Sequence, residues 1–280
     1  RTSRAARRHP SRSNRRAPYS LRRCKYENKD IQRNFVNGIS EVEVLPGNFK
    51  GHHHYKLNLQ AGATYQPAEK YSDKTVIYIF GMGKGYVCTP ENSYNINELA
   101  FFVADLDGGD YAIHAVTDMD IMRLVVDMND YDKKIYSECH YRLPFFASVS
   151  NCPEYVQDCK GPTTHNWMIL PGRNVGRVSL GVCRAIGQEG VDEGTIEKGH
   201  TGVHQWNYCL GNSDFKLKVQ DNDEITCHGG DWSFIPAGLD HSMIPSAPGK
   251  ELYYVWFEQY TRKESPIQFI EPTEDELNDY

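Results

Sequence analysis

Short segments dominated by apolar, β-branched and aromatic residues recur along most of the chain, and few stretches have the period of an amphipathic helix. Gly, Asp or Asn bounds most of these segments, which is typical of β-strands that end in turns. The predicted strands are Tyr55–Leu59, Thr75–Phe80, Leu99–Val103, Met122–Val126, Val178–Cys183, Trp206–Leu210, Phe215–Val219, Trp232–Ile235 and Leu252–Phe257. The run His52-His53-His54 precedes the first of them, and we expect it to form an exposed loop. The pattern predicts an all-β protein.

The predicted strands fall into two similar sets, one before and one after residue 165. Ile77–Gly81 in the first set corresponds to Asn207–Gly211 in the second, which indicates an internal repeat. We predict a disordered basic tail over residues 1–30, a first barrel over 40–130, a linker over 131–164, a second barrel over 165–265 and an acidic tail over 266–280. A single continuous β-sandwich is the alternative.

Charge is distributed unevenly along the 280 residues. The net charge is −6, yet residues 1–23 contain nine Arg and no acidic residue, so the rest of the chain is strongly acidic and is expected to repel nucleic acid. The acid-poor tail has the composition of an organellar transit peptide, so we expect a cytoplasmic or organellar protein. No run of 18 apolar residues occurs, which argues against a membrane-spanning segment, a transporter or a channel. The eight Cys form no Cys-x-x-Cys pair, and we expect free thiols.

Two histidine-containing segments carry the candidate chemistry. In residues 199–204, two His lie four positions apart, and in residues 230–241 a Pro-x-Gly turn precedes His241. Because alternate residues of a regular strand share a face, we expect His200, His204 and Tyr208 to point into one barrel. The same alternation turns Gln205 away from that barrel.

The two segments resemble the paired signature motifs of the cupin superfamily, whose jelly-roll barrels hold a metal ion among inward-facing side chains. With the tandem halves, they resemble the (S)-ureidoglycine aminohydrolase family, which are bicupins that bind manganese in the C-terminal barrel through Glu, His, His and Gln. The matching positions here are Lys198, His200, His204 and His241. The resemblance implies two tandem cupin barrels, the first degenerate and the second holding a divalent metal through the three His. Manganese is favoured, and iron or zinc also suits imidazole ligands.

Three further residues are candidates for catalysis. Glu197 is a candidate fourth ligand or general base, Lys198 occupies the position of the fourth ligand, and Tyr208 is placed to orient substrate or deliver a proton. The resemblance implies hydrolytic release of ammonia from a small polar metabolite. The alternatives are a three-His Fe(II) dioxygenase, a cupin lyase or isomerase, and a non-catalytic cupin that binds a small ligand. We expect no membrane or nucleic-acid partner, and we expect a homo-oligomer.

Overall fold

A computed structural model describes residues 25–260 except 48, 107–108, 139–141, 172–175, 201 and 222–223. Within this part of the chain, antiparallel β-strands predominate, and one α-helix, α1 (Asp130–Glu138), lies between the two sets of strands. No helix among the described residues is long and apolar enough to cross a membrane. The described cysteines are all free thiols, as predicted, whereas Cys24 and Cys139 lie outside the described residues. The all-β prediction is confirmed.

The first half of the chain forms two sheets. After the short β1 (Lys25–Tyr26), its strands are β2 (Ile39–Val44), β3 (His52–Leu59), β4 (Thr64–Tyr65), β5 (Lys74–Met82), β6 (Gly85–Cys88), β7 (Ser93–Ile96), β8 (Ala100–Val103), β9 (Ala112–Ala115), β10 (Met119–Asp127) and β11 (Phe145–Ser148). One sheet has the order β11-β8-β5-β10-β3-β2 and the other the order β4-β9-β6-β7.

The second half repeats this arrangement of one six-stranded and one four-stranded sheet. Its strands are β12 (His165–Leu170), β13 (Val178–Ile186), β14 (Thr195–Glu197), β15 (Val203–Cys209), β16 (Asp214–Val219), β17 (Ile225–His228), β18 (Trp232–Ile235), β19 (His241–Pro245) and β20 (Glu251–Tyr260). The sheet orders are β1-β18-β15-β20-β13-β12 and β14-β19-β16-β17. Each half therefore folds as two facing sheets, the arrangement of a small jelly-roll barrel.

The two six-stranded sheets pack on each other and share one apolar core. Ile77 and Leu124 of the first half lie in the same cluster as Leu180, Trp206 and Phe257 of the second. Strand β15 is consequently buried along its whole length. One of its faces lines the interior of the second barrel, and the other faces the first half of the chain.

Some segments differ from their sequence-based description. Residues 25–30 were predicted to belong to the disordered tail, but Lys25 and Tyr26 pair with β18 and a 3-10 turn follows. The rest of that tail, residues 1–24, and the acidic tail from 266 lie outside the described residues. The predicted linker contributes β11 to the first sheet and forms α1, in which Asp132 pairs with Arg177 at 2.9 Å. The ends of the linker are thus part of the folded structure.

The His52-His53-His54 run is not an exposed loop. It begins β3, where His52 and His54 are buried and His53 is exposed. The ring of His52 stacks on Trp206, with 4.8 Å between ring centroids. The prediction was wrong because the imidazoles were interpreted as polar, whereas neutral His rings pack well against aromatic side chains in an apolar core.

Candidate metal centre

A turn between His200 and β15 determines which side chains reach the interior of the second barrel. The amide of Val203 donates to the carbonyl of His200 at 3.3 Å, and Gly202 has a φ of 80°. This conformation is readily accessible to Gly and interrupts the strand that we predicted through residues 200–204. The alternation of side chains therefore restarts at Val203, and residues at odd-numbered positions of β15 face the barrel interior.

His204 consequently lies on the other face of β15 from the one predicted. Its Nδ1 accepts a hydrogen bond from the amide of Ala237 at 3.2 Å, and its ring stacks on Phe234 with 5.9 Å between centroids. Burial lowers the pKa of His204 to about 3. The structure does not bring His204 together with His200 and His241, so the predicted three-His set is not assembled.

Tyr208 shares the face of His204 and does not line the barrel cavity. Its hydroxyl lies 3.2 Å from Nζ of Lys56, which also donates to Asp120 at 2.8 Å. Burial raises the pKa of Tyr208 well above its ordinary value. This phenol packs between the two halves of the chain, so it is not placed for the predicted proton delivery in the cavity. Trp206 packs in the same layer.

A cavity of about 240 Å³ opens into the second barrel. This volume is below the roughly 300–1,000 Å³ that is typical of ligand pockets, so the cavity suits a small metabolite. Its lining is mostly polar or aromatic and comprises Tyr155, Gln157, Lys160, Met168, Ser179, Glu197, His200, Val203, Gln205, Tyr254, Trp256, Glu258 and Tyr260.

Glu197 occupies the position where the two histidine segments meet. Strand pairing between β14 and β19 sets Glu197 directly opposite His241. One carboxylate oxygen of Glu197 contacts Nε2 of His200, and the other lies 3.6 Å from Nε2 of His241. Lys198, which follows β14, is exposed and does not line the cavity. The structure thus brings together Glu197, His200 and His241 of the predicted site residues.

The two histidine segments are also joined through the backbone. The amide of Gly238 donates to the carbonyl of His200 at 2.9 Å, and the amide of Gly199 donates to Oδ1 of Asp240 at 2.8 Å. A Cβ atom on residue 199 would lie 2.3 Å from the carbonyl carbon of Gly238. Only glycine allows this approach, which fixes the two segments against each other.

The charged groups of the cavity affect one another's protonation. Burial alone would raise the pKa of Glu197, but His200, His241 and the charge of Lys160 lower it below its ordinary value. Burial alone would lower the pKa of His200, but its bond to Glu197 raises it. The pKa of Glu258 is raised by burial. Two carboxyl groups at one cavity therefore have pKa values displaced in opposite directions.

The hydrogen bonding of His241 fixes its tautomer in the neutral state. Its Nδ1 lies 3.1 Å from the carbonyl oxygen of Leu239, which can only accept, so Nδ1 carries the proton. In a neutral ring Nε2 then presents a lone pair, and it has no hydrogen-bond partner among the described residues. This buried nitrogen lies 3.6 Å from the carboxylate of Glu197, so a proton or a cation is needed between the two groups.

Within the described residues, no group of three or more His, Cys, Asp or Glu side chains is arranged around a common metal position. Both imidazoles are instead directed at the Glu197 carboxylate. The donor types nevertheless suit a divalent cation, because His200, Glu197 and Gln205 line the cavity and the imidazole of His241 lies 3.6 Å from Glu197. Nε2 of His241, which is buried without a hydrogen-bond partner among the described residues, is also suited to bind a cation.

Several cavity residues were not predicted from the sequence. Lys160, Tyr155 and Gln157 come from the predicted linker, and their arrival in the second barrel depends on tertiary packing. Gln205 was expected to face away, and Gly202 was the available signal that the strand begins later. Glu258 is an acid within the apolar strand β20, and such a position is itself a sign of a functional group.

No protein-family model matches the chain, and no curated protein matches it. Solved structures do. A putative glyoxylate-induced protein from Pseudomonas aeruginosa superposes with a TM-score of 0.67 at 11% identity, covering 94% of this chain and 96% of that one. Protein YlbA from E. coli gives 0.64 at 13% identity, covering 85% and 90%. Oxalate decarboxylase of Lactobacillus farciminis in complex with formate gives 0.61 at 11%, covering 85% and 86%.

These likenesses show the fold. The chain has the two-barrel cupin fold, which the resemblance of its two histidine segments to the cupin motifs implied.

Proposed function

We propose that this protein is a divalent-metal-dependent cupin enzyme that acts on a small polar metabolite, with Glu197, His200 and His241 as metal ligands. The observation that carries the proposal is the Glu197 carboxylate between two imidazoles, with Nε2 of His241 3.6 Å away and without a hydrogen-bond partner among the described residues. Two electron-rich atoms at this distance repel each other in a buried site unless a proton or a cation satisfies both. A divalent metal suits the imidazole and carboxylate donors, and the family resemblance favours manganese.

The residue types at the cavity support an aminohydrolase reaction. The resemblance implies a Glu, His, His and Gln ligand set, for which the matching positions are Lys198, His200, His204 and His241. The same residue types occur at this site in another order, because Glu197, His200 and Gln205 line the cavity and His241 lies behind Glu197. The three-His dioxygenase alternative depended on His204, which lies on the opposite face of β15.

The two carboxyl groups suit the roles that a hydrolysis needs. A bound divalent cation would supply Lewis-acid polarisation of a substrate group or of water. Glu197, whose pKa is lowered, stays ionised and holds the cation. Glu258, whose pKa burial raises, would be the group that donates a proton to the departing amino group. The polar walls orient the substrate, and the small cavity limits its size.

Metal analysis of the protein purified without chelator tests the proposal. We expect a bound divalent metal, its loss in His241→Ala, and metal-dependent release of ammonia from small amide, amidine or aminal substrates. Retention of metal at wild-type stoichiometry in His241→Ala would show that the ion binds elsewhere. Release of carbon dioxide without ammonia would indicate a lyase and contradict the hydrolase proposal. Consumption of oxygen without ammonia would indicate an oxygenase.

We also propose that the protein forms a homo-oligomer. Strand β2 ends its six-stranded sheet as described, and a terminal strand carries backbone groups that are open to pairing with another chain. Light scattering on the protein as it elutes from a size-exclusion column measures its mass. A monomeric mass at every concentration tested would contradict this expectation.

A further inference from the structure

The predicted linker supplies a cation to the cavity of the second barrel. Lys160 ends a turn in which its amide donates to the carbonyl of Gln157 at 3.0 Å, and it then forms an isolated β-bridge with Thr195. The flanking amides of Ile196 and Gly161 each make a 2.9 Å bond across this bridge. The backbone of Lys160 is thus fixed beside the start of β14, and Glu197 lies two residues further along that strand.

The side chain of Lys160 is held in a buried position. It is 7% exposed, and its Nζ donates to the hydroxyl of Thr195 at 3.0 Å. That hydroxyl also lies 2.9 Å from the hydroxyl of Tyr254, so it is itself fixed. Nζ forms a 3.8 Å ion pair with Glu197, but this separation is too long for a hydrogen bond. An ammonium group has three donors, and only the one to Thr195 is used among the described residues.

The composition of the cavity makes this cation distinctive. Among the described residues that line it, Lys160 is the one Lys or Arg. The Glu197 carboxylate is already engaged by His200 and lies next to His241. The remaining donors of Lys160 are therefore available to a ligand that enters the cavity, and a buried ammonium group favours a negatively charged partner.

We propose that Lys160 is the specificity-determining residue of this site and that it binds the negatively charged group of the substrate, which is a small carboxylate anion. This inference rests on the proposed function, because the ligand occupies the same cavity as the metal centre. The 3.8 Å separation from Glu197 places the bound carboxylate beside the metal ligands. The remainder of the substrate then faces Gln205 and Glu258 on the neighbouring strands.

Binding of two probes of nearly equal size, the anion oxamate and the neutral diamide oxamide, tests the inference by titration calorimetry. Both chelator-treated and manganese-loaded protein are titrated. We expect wild type to prefer oxamate by about tenfold or more, as a charge-assisted hydrogen bond provides. Lys160→Met should bind both probes equally, and Lys160→Arg should keep most of the preference. The matched control Lys250→Met removes a cation that is exposed, and it should behave as wild type.

The outcomes separate the two proposals. If wild type shows no preference in either metal state, or if Lys160→Met keeps the full preference, the role of Lys160 is refuted. If wild type keeps the preference but binds no metal, the metal proposal alone fails. Should Lys160→Met not fold, as judged by circular dichroism, Lys160→Gln replaces it, because the amide still donates to Thr195 but carries no charge.

Discussion

Two neutral imidazoles buried between the halves of the chain make the fold sensitive to acid. Nδ1 of His54 accepts a hydrogen bond from Nε1 of Trp232 at 3.2 Å, and Nδ1 of His204 accepts one from the amide of Ala237. Burial lowers the pKa of each to about 3. The pKa of the neighbouring His52 is lowered as well, mainly by burial.

The sign and size of the effect follow from proton linkage. The unfolded chain binds protons near pH 6.5 and the folded one only near pH 3, so the stability is complete above pH 6.5 and falls as the pH decreases toward 3. At pH 5 each of the two His lowers the free energy of unfolding by about 2 kcal/mol, or about 4 kcal/mol together. Proteins of this kind have only about 5–15 kcal/mol in total, so the loss is large.

Urea unfolding at pH 8 and pH 5, followed by tryptophan fluorescence, measures this difference. The variant His54→Gln keeps an acceptor for Trp232 and removes the titration. We expect the difference in the free energy of unfolding between the two pH values to shrink by about 2 kcal/mol relative to wild type. His53→Gln is the matched control, because His53 lies on the same strand but is exposed.

The reasoning is refuted if His54→Gln and wild type lose the same stability between pH 8 and pH 5. It is also refuted if His53→Gln shows the larger recovery, because acid sensitivity would then originate at the surface.

Two other substitutions test the layer between the halves. Lys56→Met leaves the carboxylate of Asp120 without its partner, so we expect the free energy of unfolding in urea to fall by about 3–5 kcal/mol. The double variant Lys56→Met, Asp120→Asn should recover most of this loss. Equal stability of the single and double variants would contradict the prediction. His204→Phe should leave bound metal at the wild-type stoichiometry by elemental analysis, since its ring faces Phe234, and loss of metal would return His204 to the ligand set.

The strands could be predicted from the sequence because their apolar and β-branched residues recur in short runs between turn residues. The location of the site could also be predicted, since His200 and His241 lie in the two segments that resemble the cupin motifs and Glu197 lies two residues before the first segment. The assignment of faces on β15 was wrong, because one turn at Gly202 reverses the alternation for every later residue.

Other parts of the site depend on contacts between distant segments. Lys160 reaches the cavity because its backbone pairs with Thr195, and no local pattern in the linker indicates that pairing. The role of His52 and His54 in the core was likewise hidden, because their burial depends on aromatic rings that the other half of the chain supplies.

Strand β15 contributes Gln205 to the cavity on one face and packs against the first half of the chain on the other. The first half therefore supports one wall of the cavity in the second half. A second barrel excised from the chain would expose the apolar back of its own cavity wall, including Trp206. The folded unit of this protein is thus the pair of barrels, and a boundary drawn between them for expression would divide it.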